Sequence, residues 1–432
     1  KIPDEWKIGA NKADIEEGIV EESDYGSTLS DYSLYRAGRT GDAVLWEKVR
    51  YFAAEWEDFK SQNGAIDFQD MIDLALLELP YCPGDPIAFC VDEAQDLTPT
   101  QWALVQQWGE AAHYFLVAGD PAQVLYGWIG ARPDELLAPL PADQHRLLGR
   151  SYRLPSVIQQ YAERWLSGHS GRMMEGREYA PRAEGGEIRE TDDTWRQPLH
   201  IIELIQELLT EHKDVMLLAS CSYMLGPTIT ELREAGIPVW NPWRRSNGAW
   251  NPLRKSREGS VSTVQRVRLF MADDWTGTGA ADWLKMLPAE WFDGTKKGTL
   301  ERFSNEPRVS RDDVVFALKE QAAGAVLDKD LRWLTQSVAK PYQRPAEHIA
   351  SIIRHSGIAA LDDEPRVVVG TIHSVKGAET EATVLYPDLS AAALQNVDRD
   401  SIVRQWYVAL TRASHTIVKA TAERFERDVE SI

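Results

Sequence analysis

The sequence predicts an α/β protein in which two groups of parallel strands are interrupted by helical insertions. Three observations carry that prediction. Short apolar runs of the kind that form strands buried on both faces recur along the chain. They alternate with stretches whose apolar residues return at helical spacing. The runs also fall into two groups, before residue 120 and after residue 214.

Residues 1–40 are polar and acidic, contain Gly and Ser, and show no periodicity. Leu45, Val49, Phe52, Trp56 and Phe59 then predict an amphipathic helix over 41–60, stopped by Gly64. Phe68, Met71, Ile72, Ala75 and Leu79 mark a second helix. Strands are expected at Ile87–Val91, which ends in acids, and at Tyr114–Ala118, which ends in Gly119-Asp120. After a helical stretch around 199–210 come Val215–Ala219, Arg366–Gly370, Ala382–Leu385 and Thr416–Val418. Between 255 and 355 the pattern becomes helical and Trp-rich, with expected breaks at Gly277, Gly279, Gly294 and Gly298. This reads as an insertion within the second α/β domain.

The bulk numbers set limits. A chain of 432 residues suits two or three domains. With 43% hydrophobic and 26% charged residues it has the composition of a globular protein. No apolar run approaches the ~20 residues that span a bilayer, so no membrane partner is expected. The start, KIPDEWKIGA, is neither a signal peptide nor a basic targeting segment, and it lacks an initiator Met. Cys82, Cys90 and Cys221 are too scattered for a disulfide framework or a zinc site, which favours a reducing, cytoplasmic setting. The formal net charge of −20 opposes non-specific nucleic-acid binding. The charge is uneven, however. From Trp240 to Phe270 the only acid is Glu258, among Arg244, Arg245, Arg254, Lys255, Arg257, Arg266 and Arg268. Interleaved with Trp243 and Trp250, this stripe reads as a grip on single-stranded DNA, as a solvated surface loop, or as a structural segment whose aromatics pack inward while its cations pair with the acidic first domain.

The strongest chemical signal is Phe89-Cys90-Val91-Asp92-Glu93-Ala94-Gln95-Asp96. A buried strand delivers two adjacent carboxylates to its C-terminal end, where α/β sheets bind ligands. The first can hold Mg²⁺, a hard cation that takes oxygen ligands. The second can accept a proton from an attacking water. A bare Asp-Glu pair after a strand also reads as a helix cap. The apolar strand and the full DEAQD string favour chemistry.

At this string the chain resembles the superfamily 1 helicases of the UvrD/PcrA/Rep type, whose Walker B motif VDEAQD is similar to. Val117–Gln123 with Val124-Leu125-Tyr126-Gly127-Trp128 resembles motif III. By that resemblance Gln123 senses the γ-phosphate, while Trp128, with Tyr126 beside it, stacks on bases of single-stranded DNA. Ile129 stands where the family commonly has Arg. Tyr152-Arg153 resembles motif IV, implying that Tyr152 packs on adenine and Arg153 reaches the γ-phosphate. Val369–Glu379 resembles motif V. There Thr371, His373 and Ser374 belong to a loop cradling a DNA phosphate, Gly377 lies on the nucleotide side, and Glu379 contacts the ribose. Thr380 stands where an aromatic is usual. Arg404–Ala413 resembles motif VI, with Arg412 as arginine finger and Ala409 in place of the usual Gly. Asp67-Phe68-Gln69-Asp70 resembles the family's DFxDLL segment, and Ala219–Ser222 with Gly236–Val239 the segment after motif IV.

The resemblance spans roughly 65–432 and implies two RecA-like motor domains, the first incomplete. It divides the chain into a remnant of a helical insertion (1–64), part of the first motor domain (65–147), the first part of the second (148–254), an insertion (255–355) and the second part of the second (356–432). It implies an ATP-dependent 3′→5′ DNA helicase with ATP and Mg²⁺ at Asp92, acting on single-stranded and duplex DNA. Arg244 and Arg245 are expected to add DNA contacts. No G-x-x-x-x-G-K-[ST] occurs. Thr276-Gly277-Thr278-Gly279-Ala280 lacks the Lys, and Gly294–Thr299 has the wrong spacing. The expectation is truncation before the Walker A motif. The alternative is an ATPase-inactive DNA-binding or regulatory module on a relic helicase fold.

Overall fold

The computed structural model describes residues 43–127, 131, 144, 146–169, 179–241, 250–253, 260–390, 393–394 and 399–431, of which 43–52 by backbone alone. The chain divides into two compact units. The first is drawn from Lys1–Ser151, Tyr161–Ala180 and Ala391–Val408, the second from Tyr152–Gln160, Pro181–Ser390 and Ala409–Ile432.

In the first unit, helix α1 (Ala43–Asn63) ends at Gly64, whose φ of +59° is the left-handed conformation that closes helices. Helix α2 (Phe68–Glu78) starts at Asp67, which forms a capping box with Asp70. Lys60, buried, pairs with Glu57 one turn earlier on α1 (3.0 Å) and reaches Asp67 (3.1 Å) and Asp70 (2.5 Å) at the start of α2. The Asp-Phe-Gln-Asp segment therefore joins two helices. Strand β1 (Ala88–Val91) lies parallel to β2 (Tyr114–Val117), with Ala88 opposite Tyr114 and Val91 opposite Val117. Helix α3 (Pro99–Ala111), capped by Thr98, connects them. Phe89 and Phe115 pack together beside Trp108 of α3. The helix lies so close that a Cβ on Gly109 would stand 2.5 Å from the Phe115 ring. The opposite face of the pair, Ala88, Cys90, Tyr114 and Leu116, is exposed.

Helix α4 (Ser156–His169) runs out of the second unit into the first. The second unit holds a six-stranded sheet: β3 (Glu187–Glu190), β4 (Val215–Ala219), β5 (Val239–Trp240), β6 (Val367–Thr371), β7 (Thr380–Leu385) and β8 (Ala413–Lys419). The order is β3-β8-β7-β4-β6-β5, and every described pairing is parallel. The central strand β4, Val-Met-Leu-Leu-Ala, is buried throughout, as a parallel strand covered on both faces must be. Helices α5 (Pro198–Glu211) and α6 (Ser222–Glu234) supply Ile201, Ile205, Leu208, Leu225 and Leu232 to its core.

The expected helical insertion follows β5. It contains α7 (Thr263–Met271), α8 (Gly277–Leu284), α9 (Lys296–Ser304), α10 (Arg311–Ala317), α11 (Glu320–Leu327), α12 (Leu331–Ser337) and α13 (Lys340–Ser356). These enclose their own core around Phe270, Trp275, Trp283, Phe303, Leu334 and Ile349. The expected breaks at Gly277, Gly279 and Gly298 are not breaks. Each lies in the first turn of a helix capped by Thr276 or Thr295. A Cβ at Gly277 would meet the Phe303 carbonyl oxygen at 1.9 Å, so close backbone approach, not turning, requires glycine there. Gly294 does lie in a bend between elements. The insertion is fastened to the sheet layer through α13. His348 Nε2 donates to the Ile237 carbonyl (2.8 Å) and Ser351 Oγ to that of Glu234 (2.7 Å). Helix α14 (Arg399–Leu410) then leads into β8.

Candidate nucleotide and nucleic-acid site

In the first unit the chain leaves β1 with Asp92 and Glu93 exposed at the strand's C-terminal end. Asp92 Oδ1 accepts the Glu93 backbone N–H at 2.8 Å. Glu93 is one of few non-glycine residues with positive φ (55°), a strained conformation of the kind that concentrates at functional sites. It turns the chain into a short 3₁₀ segment, Ala94–Asp96. The Glu93 carboxylate accepts from Gln95 Nε2, and Gln95 Oε1 accepts the Asp120 N–H at 2.9 Å. Asp120 follows β2 and caps the turn Pro121–Gln123, taking the Ala122 N–H and the Gln123 Nε2, each at 2.9 Å. The Leu125 N–H returns to Asp96 Oδ1 at 3.3 Å, and Tyr126 lies half-buried just beyond. Asp92, Glu93 and Gln123 are thus drawn together at one end of the β1–β2 pair. The sequence reading assigned no role to Gln95 or Asp120. The signal available was position: Gln95 lies inside the Asp92–Asp96 string, and Asp120 closes the second apolar run.

In the second unit Tyr152 is exposed and Arg153 turns inward. Arg153 Nε pairs with Glu379 Oε2 at 2.5 Å, and its Nη1 donates to the Thr411 carbonyl at 3.3 Å. Two residues assigned to nucleotide contacts, far apart in sequence, therefore bond to one another. Arg412 is buried, with Nη1 on the Ala378 carbonyl (3.2 Å) and Nη2 on Thr411 Oγ1 (2.9 Å).

Strand β6 ends at Thr371, whose hydroxyl caps the turn Ile372–Val375 through the Ser374 N–H. Ser374 Oγ donates back to the Thr371 carbonyl at 2.9 Å. A Cβ on Gly370 would meet Val375 Cγ1 at 2.6 Å and Ser374 Oγ at 2.7 Å, so the loop doubles back tightly on its strand. His373 is half-exposed, and Gly377, at φ +83°, turns the chain toward Glu379. Buried Asn241 holds this loop's strand from β5, donating to the Val369 carbonyl at 2.6 Å.

Trp128, Arg244 and Arg245 lie outside the described residues, as do Arg254, Lys255 and Arg257. The two described cations of the basic stripe serve the insertion. Arg266 is buried and donates to the carbonyls of Val261 and Asp282, while Arg268 pairs with Asp362 at 2.8 Å. Trp250 packs against the core of the sheet.

Among the described residues no three His, Cys, Asp or Glu side chains cluster to hold a metal. A single exposed carboxylate such as Asp92 still suits Mg²⁺, which keeps waters and takes one or two carboxylates plus substrate phosphates. No helix among the described residues is long and apolar enough to cross a membrane.

The fold belongs to the parallel α/β class, in which groups at strand C-termini meet the ligand. Residues 27–140 match the model of the UvrD/REP helicase N-terminal domain, and that match supports a UvrD-like superfamily 1 helicase. No curated protein matches the chain.

Proposed function

We propose that this chain carries most of the motor of an ATP-dependent 3′→5′ DNA helicase that translocates on single-stranded DNA and unwinds duplex, in a cytoplasmic setting. The observation that carries the reading is the joining of Glu93 and Gln123 through one hydrogen-bonded chain at the end of two parallel strands. Glu93 would accept the proton of the attacking water. Mg²⁺ held by Asp92 would neutralise charge on the phosphates. Gln123 would sense the γ-phosphate. Arg153 and Arg412 would meet negative charge developing on it, and a guanidinium suits phosphate by its planar fork. Tyr152, Gly377 and Glu379 would border the nucleoside. Because Arg153 is bonded to Glu379, nucleotide binding would have to exchange that pair for phosphate contacts. Trp128, Tyr126 and the Thr371–Ser374 loop would grip the strand, with Arg244 and Arg245 adding charge.

We further propose that the first motor unit is completed by a phosphate-binding strand and loop outside these residues. Parallel sheets are covered on both faces. Among the described residues Tyr114 and Leu116 are 58% and 60% exposed on an apolar strand face, which supports a further covering layer there. The test is DNA-stimulated ATP hydrolysis, with unwinding of 3′-tailed and 5′-tailed duplexes. Residues 1–432 alone should hydrolyse negligibly. The full-length polypeptide should be active and open only the 3′-tailed substrate. Robust hydrolysis by residues 1–432, abolished by Glu93→Gln, would overturn the completion. An inactive full-length protein that still binds DNA would leave the DNA-binding module as the better reading.

A further inference from the structure

Gln95 is fully buried, yet both ends of its amide are engaged by residues of the candidate site. Its Nε2 donates to the Glu93 carboxylate and its Oε1 accepts the Asp120 N–H at 2.9 Å. The Asp120 carboxylate in turn holds Gln123 Nε2 at 2.9 Å and the Ala122 N–H. Burying an amide is costly unless both its donor and its acceptor find partners, and an apolar side chain would fill the space at less cost. Glu93 also sits on a left-handed backbone that must be held in place, since few non-glycine residues adopt it without support.

We infer that Gln95 is a positioning residue. It fixes the Glu93 carboxylate and ties it to the loop carrying Gln123, so that proton acceptor and phosphate sensor are set as one rigid piece. The inference rests on the catalytic reading of Glu93 and Gln123 given above. Its physical content is that one side chain joins the loop after β1 to the loop after β2. A shift at either loop is then transmitted to the other.

Two substitutions separate the halves of the bridge. Gln95→Glu keeps an oxygen for the Asp120 N–H and nearly the same volume, but places a second carboxylate against Glu93. Gln95→Leu removes both bonds. In the full-length polypeptide, turnover at saturating ATP and DNA should fall on the order of 100-fold in both, the cost of misplacing a reacting group. KM for ATP should stay within about threefold, because the lost interaction acts in the transition state. Hydrogen exchange at the Asp120 amide should accelerate in Gln95→Leu and stay protected in Gln95→Glu. Glu93→Gln is measured in parallel. If it abolishes turnover while folded Gln95→Glu keeps the parent kcat, the positioning role is overturned. Equal losses in kcat and in thermal stability, with Gln95→Glu fully active, would mark Gln95 as structural and also overturn it. If Glu93→Gln turns over like the parent, or the parent does not hydrolyse ATP, the catalytic reading has failed and the positioning role falls with it.

Discussion

His348 should make the stability of the second unit depend on pH in a window that one substitution removes. The residue sits on α13, fully buried, where the insertion meets the turn before β5. Its Nε2 must carry a proton to donate to the Ile237 carbonyl at 2.8 Å. The bare nitrogen is therefore Nδ1, which is buried with no hydrogen-bond partner. Protonating it creates an imidazolium with nothing to accept its new proton. Burial above all, together with the nearby Arg233 charge and against the Ile237 bond, lowers the pKa from 6.5 to about 4. The unfolded chain thus takes up this proton near pH 6.5, the folded chain only near pH 4. Between those values the unfolded state binds more protons, so stability falls as the pH drops. The contribution is complete above pH 6.5 and gone below about 4. At about 1.4 kcal/mol per pKa unit, the whole loss is about 3 kcal/mol. His348→Gln keeps an N–H for the Ile237 carbonyl and cannot titrate. Urea unfolding at about pH 7 and about pH 4.5 should show the parent losing roughly 2–3 kcal/mol more than the variant across that interval. The difference between the proteins isolates this residue from every other titrating group. Equal losses would refute the reasoning.

Other perturbations test other parts. Lys60→Met should destabilise the α1–α2 hairpin by about 2–3 kcal/mol at neutral pH, at or below the low end for stranding a buried ionic partner, because the acids are partly exposed. Asp67, although its burial opposes ionisation, is pulled down to about 2 by the Trp56 indole, the Asp70 N–H and Lys60, so the deficit should close as the pH falls from about 4 toward 2. Denaturation of both proteins against pH reads this out, and a pH-independent deficit would contradict it. Arg412→Ala in the full-length polypeptide should cut kcat on the order of 10³-fold or more with a much smaller change in ATP affinity. Loss of binding with intact turnover would remove the finger role. Replacing Arg244, Arg245, Arg254 and Lys255 by Ala should lower single-strand affinity and flatten the log K against log salt slope by roughly 0.7 for each phosphate no longer neutralised. An unchanged slope in a folded variant would remove that stripe from the DNA site.

Apolar patterning alone determined the interior strands. Val215–Ala219 and Val367–Val369 are buried on both faces, so their sequences have to be continuously apolar and stand out as such. The strands that escaped reading are β3 and β5, the two outer strands of the sheet. Glu-Ile-Arg-Glu in β3 faces solvent in part and is stapled by Arg189 to Glu187 and Glu211, while β5 is only two residues long. β3 lacks the burial, and β5 the length, that writes a signal into sequence. The same limit applies to the glycines. Gly277 looks like a break in a linear reading, because the contact that requires it, the Phe303 carbonyl, comes from folding. Of the candidate site, the place of Asp92 and Glu93 at the end of β1 was legible, since an apolar run followed by acids marks where a strand stops. What only the tertiary structure decided is which groups bond to one another. Gln95 meets Asp120 across 25 residues, Arg153 meets Glu379 across 226, and His348 meets Ile237 across 111. A hydrogen bond is set by the distance and direction between two atoms. When the chain reaches that geometry by way of intervening strands and helices, neither residue's local sequence carries a trace of its partner.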